Sequence, residues 1–201
     1  MPDLPSFLLA VLILELTPGP NMAFLAMLSL ARGWRPALAA VAGVAAGLSV
    51  HAVLAAIGLG ELVARLPALY QLLRWLGVAY LLWLAIEGWR GETEAAPRGD
   101  ARLFRDGLLT NLLNPKSILF FVAVVPHFLS APGTGLPPMG QLAILGTVYV
   151  GVASAVHLAI VLLAARLRPW LMAGPRRDRV RRTLSVLLAL VALWLAYGTR
   201  G

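Results

Sequence analysis

The chain contains no cysteine. That absence excludes a disulfide framework, a thiol nucleophile and any cysteine-ligated metal site. Charge is scarce as well: 13% of the 201 residues are charged, against roughly 25% in an ordinary soluble domain. The deficit is local, because residues 36–60 and residues 117–165 carry no acidic or basic side chain at all. Also missing are a phosphate-cradling glycine-rich loop ending in Lys-Ser/Thr, a Gly-x-Ser-x-Gly turn and a His-Glu-x-x-His pair. Without a nucleotide site the chain is not by itself an ATP-driven pump, which leaves secondary transport, a channel-like role or a membrane enzyme. The three histidines, His51, His127 and His157, are too dispersed for a metal site, and no cofactor is expected.

What is present is apolar sequence, 60% of the chain, in runs of the length that crosses a bilayer, about 18 residues or more. Six segments are expected, at about Leu4–Ala31, Ala37–Leu59, Pro67–Ile86, Gly107–Leu129, Met139–Ala165 and Thr183–Tyr197. The first is read as a retained span. Met1-Pro2-Asp3-Leu4-Pro5 lacks the basic leader of a secretory signal, and no clear small-residue cleavage site follows. Arg74, a turn or two into the third segment, is expected to snorkel toward the headgroups, and His127 to sit at an interface. Gly43-x-x-x-Gly47 permits close helix contact; its expected role is internal packing, and a homodimer is allowed without a signature of its own.

The net charge is +8. The arginines cluster in short connections, with few aromatics beside them and no domain to hold them, so they are expected to face lipid phosphates and not a nucleic acid. With six spans, the first, third and fifth connections carry thirteen arginines, while the opposite side carries Arg65, Arg74 and Arg200. The bias places both termini on the non-cytoplasmic side. A single membrane domain over 1–201 is expected, with one repeat at about 4–89, a cytoplasmic linker at about 90–106 and a second repeat at about 107–198.

Two stretches interrupt the apolar pattern. In the first segment, Glu15 is the single charged residue between Leu4 and Ala31, and Thr17-Pro18-Gly19-Pro20-Asn21 follows it. Prolines remove amide donors and crowd the preceding turn, so a helix does not run straight through them. At membrane depth the freed backbone must be satisfied by protein or by a water-filled cavity, which makes a broken helix a candidate binding site. Glu15 is expected to be paired, protonated or exposed to such a cavity. A helix restarting near Pro20 offers unpaired amides and a partial positive charge to an anion such as a carboxylate, with Thr17 and Asn21 lining the kink. The second interruption holds Asn111, Asn114, Pro115 and Lys116. Lysine at a helix start lies at the unfavourable end of the dipole, so Lys116 is expected to bind a substrate carboxylate, pair with Glu15 or snorkel. His51 and His157 lie in apolar spans and join Glu15 as candidates for proton coupling.

The halves echo each other. Segments one and four each hold a proline break near asparagine. Segments two and five carry Ser49-Val50-His51 and Ser154-Ala155-Val156-His157, and segments three and six share Leu82-Trp83-Leu84-Ala85 and Leu193-Trp194-Leu195-Ala196. Two successive three-span units have opposite orientations, the inverted-repeat layout of many secondary transporters. The expected fold is an all-α integral membrane protein of six helices in two inverted three-helix repeats, with helices 1 and 4 broken.

These residues resemble the LysE/RhtB family of bacterial amino-acid exporters. The resemblance rests on Thr17-Pro18-Gly19-Pro20-Asn21, on Asn114-Pro115-Lys116-Ser117-Ile118-Leu119-Phe120-Phe121 with Pro126 beyond it, on Gly43, Gly47 and His51, and on Gly77, Tyr80 and Leu81. It implies a multi-pass protein of the bacterial inner membrane that exports amino acids such as homoserine, threonine or leucine by exchange with protons. The family's break motifs fall on Pro18, Gly19, Pro20 and Asn21 and on Asn114, Pro115 and Lys116. Many members carry an aspartate in the fifth span, where this chain has none; Glu15 or His157 is expected to take that part. His127 stands where a glutamine commonly follows the proline. The alternatives are a channel, an integral-membrane enzyme or a scaffold without coupled transport.

Overall fold

The computed structural model describes residues 2–58, 66–91, 99–130, 135–174 and 176–198. Of the sequence expectations, Leu59, most of the linker, and Arg65, Arg98 and Arg200 lie outside the described residues. Proline spacing sets the first boundaries. Helix α1 (Leu4–Leu16) is capped by Asp3, whose carboxylate accepts from the Ser6 amide at 3.3 Å. It ends because Thr17 precedes a proline and is held extended, at φ −72° and ψ 122°. Helix α2 (Pro20–Arg32) restarts with Pro20 at its first position, where a missing amide costs nothing. The two meet at a bend of 54°.

Helices α3 (Trp34–Ala56) and α4 (Pro67–Arg90) run unbroken. Helix α5 (Asp100–Leu112) then stops before Asn114-Pro115, and a short helix α6 (Pro115–Leu119) leaves at 49° to it through a π-type turn (Phe120–Val124) and a 3₁₀ turn (Val125–Phe128). Asn114 is extended, as a residue before proline tends to be, and its side chain caps α6 by accepting from the Lys116 amide at 3.0 Å. Helices α7 (Pro138–Leu171) and α8 (Arg176–Gly198) complete the bundle.

Among the described residues four helices (α3, α4, α7 and α8) are long and apolar enough to cross a membrane, and each bent pair passes the same test as one span, giving up to six. Large apolar side chains also cover the outside of the bundle: Leu9, Ile13, Val53, Leu163 and Trp194 are all exposed. In water such a surface would be an aggregation face; in a bilayer it meets lipid. Helix α7, with 34 residues, is about 51 Å long at 1.5 Å per residue, well beyond the roughly 30 Å hydrocarbon layer.

Helix α3 lies between α5 and α7, α4 lies along α8, and α2 touches α3, α7 and α8. The α3–α5 contact is close because glycines face backbone. A side chain at Gly43 would run into the Phe104 carbonyl, and one at Gly107 into the Ala40 carbonyl. Gly43 and Gly47 are thus used inside the bundle, as the sequence suggested. At the basic end, Arg168 of α7 donates from Nε to the Leu30 carbonyl at 3.0 Å and from Nη2 to the Ala31 carbonyl at 3.3 Å. A cation there satisfies the last carbonyls of α2.

Two expectations change. Arg74 does not reach out to headgroups but is buried, 3% exposed, with its guanidinium 5.2 Å from the Trp75 ring centre. The arginine-rich stretch between the fifth and sixth segments is largely helical: α7 continues to Leu171 and α8 begins at Arg176. Charge marks where hydrocarbon ends, not where a helix must unwind.

Candidate functional site

The two interruptions face each other inside the bundle. Between them lies a polar chamber of about 10 Å³, room for about one water molecule. Glu15 comes from the end of α1, and Gly19, Asn21 and Met22 from the first break and the start of α2. Asn114, Lys116 and Ser117 come from the second break, and His157 from the middle of α7.

Lys116 joins the two breaks. Its Nζ donates to the Thr17 carbonyl at 2.8 Å, one of the carbonyls that α1 leaves unpaired at its end. A cation is favourable at that pole of the helix dipole. The lysine therefore starts at the wrong end of its own helix and finishes at the right end of another. Its stem passes over Gly19, where an added methyl would lie 3.3 Å from Cδ and 3.5 Å from Nζ. Any larger residue at position 19 pushes against this side chain.

Glu15 is buried, with 4% exposure. Oε1 accepts from the Tyr149 hydroxyl at 2.9 Å, and Oε2 lies 3.3 Å from Nε2 of His157. These contacts offset part of the cost of an intramembrane carboxylate. The aromatic rings fix Tyr149: Phe120 stacks on it with centroids 4.8 Å apart, and Phe121 meets it edge-on at 5.0 Å. Both phenylalanines belong to the π-type turn after the second break, so Tyr149 touches the acid of one break and the backbone irregularity of the other. π-type turns are frequent at functional sites.

The remaining candidates stand around this chamber. Asn111 lies one layer behind it, donating from Nδ2 to Oγ of Ser117 at 3.3 Å and packing on Gly47. Thr17 and Pro18 are exposed; the Thr17 hydroxyl returns to the Ile13 carbonyl at 2.8 Å, so this residue contributes its backbone oxygen. Pro20 and Pro115 are buried and open the helices that follow each break. The histidines part company. His157 lines the chamber, whereas His51 bonds the Leu112 backbone and lies against Phe121, with ring centroids 6.1 Å apart. His127 is exposed in the 3₁₀ turn.

Tyr149 and Ser117 are additions to the site that the sequence reading did not single out. A signal for Tyr149 existed: Tyr149, Ala153 and His157 fall at i, i+4 and i+8, one buried stripe of α7. Asn21 Oδ1 and His157 Nδ1 are buried without a hydrogen-bond partner, which leaves one acceptor and one ring nitrogen for a further group in the chamber. The start of α2 has no side-chain cap, so its first amides add donors beside Lys116. Among the described residues no group of three His, Asp or Glu side chains is placed to hold a metal. The chamber thus brings together one ammonium, the first amides of α2 and one carboxylate.

A protein-family model described as LysE type translocator matches residues 12–199. The homoserine/homoserine lactone efflux protein of Salmonella typhimurium is 34% identical over 197 residues, covering 95% of this chain and 94% of that protein. An uncharacterized membrane protein of Vibrio cholerae is 36% identical over 168 residues, covering 81% and 80% respectively. Another, from Pseudomonas aeruginosa, is 31% identical over 210 residues, covering 98% and 94%. No solved structure matches the chain.

Proposed function

The chain belongs to the LysE translocator family, a multi-pass membrane protein and a transporter, not an enzyme, and from that premise we propose that it exports small zwitterionic solutes by exchange with protons. The observation that carries this reading is the meeting of the two breaks around one polar chamber, bridged by Lys116 and the Thr17 carbonyl. The substrate carboxylate takes Lys116 and the free amides of α2. Its ammonium takes Glu15, Oδ1 of Asn21 and the α1 carbonyl that Lys116 then releases. Homoserine is the first solute to try, since the Salmonella relative is named for homoserine and homoserine lactone efflux.

Room for about one water means that the chamber is closed to an amino acid in this form, as an alternating-access carrier requires at one point of its cycle. Opening follows from moving one half against the other. In our reading the halves are inverted three-helix repeats, and the packing supports it. Contact of α3 with α5 is answered by contact of α7 with α1 and α2, while α3–α7 and α4–α8 pair like with like. His51 meets the end of α5 as His157 meets the end of α1. The arginine asymmetry supports a reading with both termini on the non-cytoplasmic side.

Proton exchange runs through the Glu15–His157 pair. A proton reaching Glu15 removes the charge that holds the substrate ammonium and loosens the bonds to Tyr149 and His157. The binding equilibrium of the two access states then differs by the energy of those contacts. Purified protein in vesicles loaded with radiolabelled homoserine tests the reading. Efflux is expected to rise with an imposed proton gradient and to fall at least tenfold in Lys116→Met and Asn21→Ala; efflux indifferent to both substitutions would overturn the site.

A further inference from the structure

A string of buried side chains runs from the carboxylate of Glu15 to the contact between α3 and α5, and it crosses both breaks. The Tyr149 hydroxyl donates to Oε1 of Glu15 at 2.9 Å. Ser117 of α6 bonds the same hydroxyl. Nδ2 of Asn111, on the other side of the second break, donates to Oγ of Ser117 at 3.3 Å. None of the four residues is more than 4% exposed.

The chemistry of the groups gives the string one direction. A carboxylate only accepts, so the phenolic hydrogen is spent on Glu15 and the Tyr149 oxygen takes the hydrogen of Ser117. Oγ of Ser117 in turn accepts from the Asn111 amide. All three donors thus point toward the charge on Glu15. The far end is left short: Oδ1 of Asn111 is buried against Gly47 without a hydrogen-bond partner, an arrangement that costs free energy.

We infer that Ser117 and Asn111 are positioning residues for proton coupling: the string reverses its polarity when Glu15 takes a proton, and the Asn111 amide turns over against α3. The inference rests on the proton-exchange reading given above and names how the same site passes its charge state on. The protonated carboxyl donates to the Tyr149 oxygen. The Tyr149 hydroxyl swings to Oγ of Ser117, and the Ser117 hydroxyl swings to Oδ1 of Asn111. One proton enters at Glu15; every other hydrogen stays on its own atom and only rotates. Oδ1 gains the donor it lacked, and Nδ2 takes its place against Gly47. Helices α3 and α5 belong to different halves of the chain, so the charge on Glu15 is felt where the halves pack together.

The charged and titratable groups that face Glu15 are few. Oε2 stays beside His157 of α7, 3.3 Å away. Lys116 of α6 and Tyr149 itself are the others, while α2 presents the uncharged Asn21. The 3₁₀ turn that carries His127 meets α1 at Phe7, about two turns from Glu15.

Infrared difference spectra of the full-length protein in lipid vesicles, taken across a pH titration, test the string. A carboxyl band that grows on acidification and is absent in Glu15→Gln marks Glu15. In the wild-type protein a side-chain amide band, absent in Asn111→Leu, is expected to shift with the same midpoint. In Ser117→Ala the carboxyl band is expected to remain and the amide band to stop following it, because the string is cut between them. An amide band that ignores the carboxyl in the wild type, or still follows it in Ser117→Ala, would overturn the inference and leave the proton reading standing. Absence of any Glu15 carboxyl band is the failure of the proton reading itself and takes the inference with it. Transport gives a second readout. Stimulation of homoserine efflux by a proton gradient, relative to downhill efflux of the same variant, is expected to be lost in Ser117→Ala and in Asn111→Leu. Residues needed only for packing would lower both fluxes together, and an unchanged ratio would show that the string carries no coupling.

Discussion

Lys116 and Thr17, separated by 99 positions in the chain, are joined by a 2.8 Å hydrogen bond from an ammonium to a backbone carbonyl. The bond ties the start of one helix to the end of another beside the chamber. In the proposed cycle it is also the contact that the substrate exchanges.

Replacing Lys116 separates these two roles. Lys116→Met keeps the stem over Gly19 and removes the ammonium, leaving the Thr17 carbonyl without its partner. Lys116 is half-buried, so screening reduces the loss, and a cost of about 1–2 kcal/mol is expected. A fall of a few degrees in the melting temperature of the purified protein would report it, alongside the loss of homoserine efflux. Lys116→Arg keeps a cationic donor for the Thr17 carbonyl and should recover most of the stability.

Tyr149→Phe keeps the rings in place and removes a single hydroxyl. The stack on Phe120 at 4.8 Å survives, while Glu15 loses its 2.9 Å donor. The expected cost is about 1.5–3 kcal/mol, the range for a hydrogen bond to a charged group. Coupling should suffer more than stability. Downhill efflux is expected to persist, and its stimulation by an imposed proton gradient to disappear. Gradient stimulation equal to that of the unaltered protein would show that Tyr149 takes no part in coupling.

Gly43→Leu tests the close approach of α3 and α5. The added atoms meet the Phe104 carbonyl and, at 2.8 Å from the first carbon, the Leu108 amide. Backbone yields less than side chain, so an overpacking cost at the upper end of about 1–3 kcal/mol or beyond is expected. Low yield of monodisperse protein, with the melting temperature lowered more than in Gly146→Ala, would bear this out. At Gly146 the obstacle is one methyl group of Ala52.

Much of this arrangement was legible because the sequence is so restricted. In long uncharged runs, Glu15 and Lys116 stand out, and Pro18-Gly19-Pro20 and Asn114-Pro115 allow no continuous helix. Both bends fall where those residues lie. Tyr149 was hidden for the opposite reason: it reads as one more apolar residue of α7, and its partner is 134 positions away. The histidine motifs look alike in sequence, yet His157 faces a carboxylate and His51 a backbone carbonyl region and a phenyl ring. Periodicity places a side chain on a face; what that face meets depends on packing. Arg74 illustrates the same limit, since nearness to a span end did not reveal that the bundle covers it.

Glu15 and His157 should behave as one unit. Their side chains lie 3.3 Å apart and both are buried, in a setting where a charge left alone is costly. Glu15→Gln alone leaves His157 beside a neutral amide, and His157→Gln alone leaves the carboxylate with Tyr149 and a more distant lysine. Once either partner is gone, removing the other costs less. A double-mutant cycle on proton-stimulated efflux and on melting temperature is therefore expected to be non-additive by about 0.5–3 kcal/mol, the range for residues in one hydrogen-bonded network. The conserved-shape variants matter here, because a cavity at this depth would add its own cost and blur the coupling. Additivity within about 0.5 kcal/mol would mean that the two groups act independently, and that the proton is handled elsewhere.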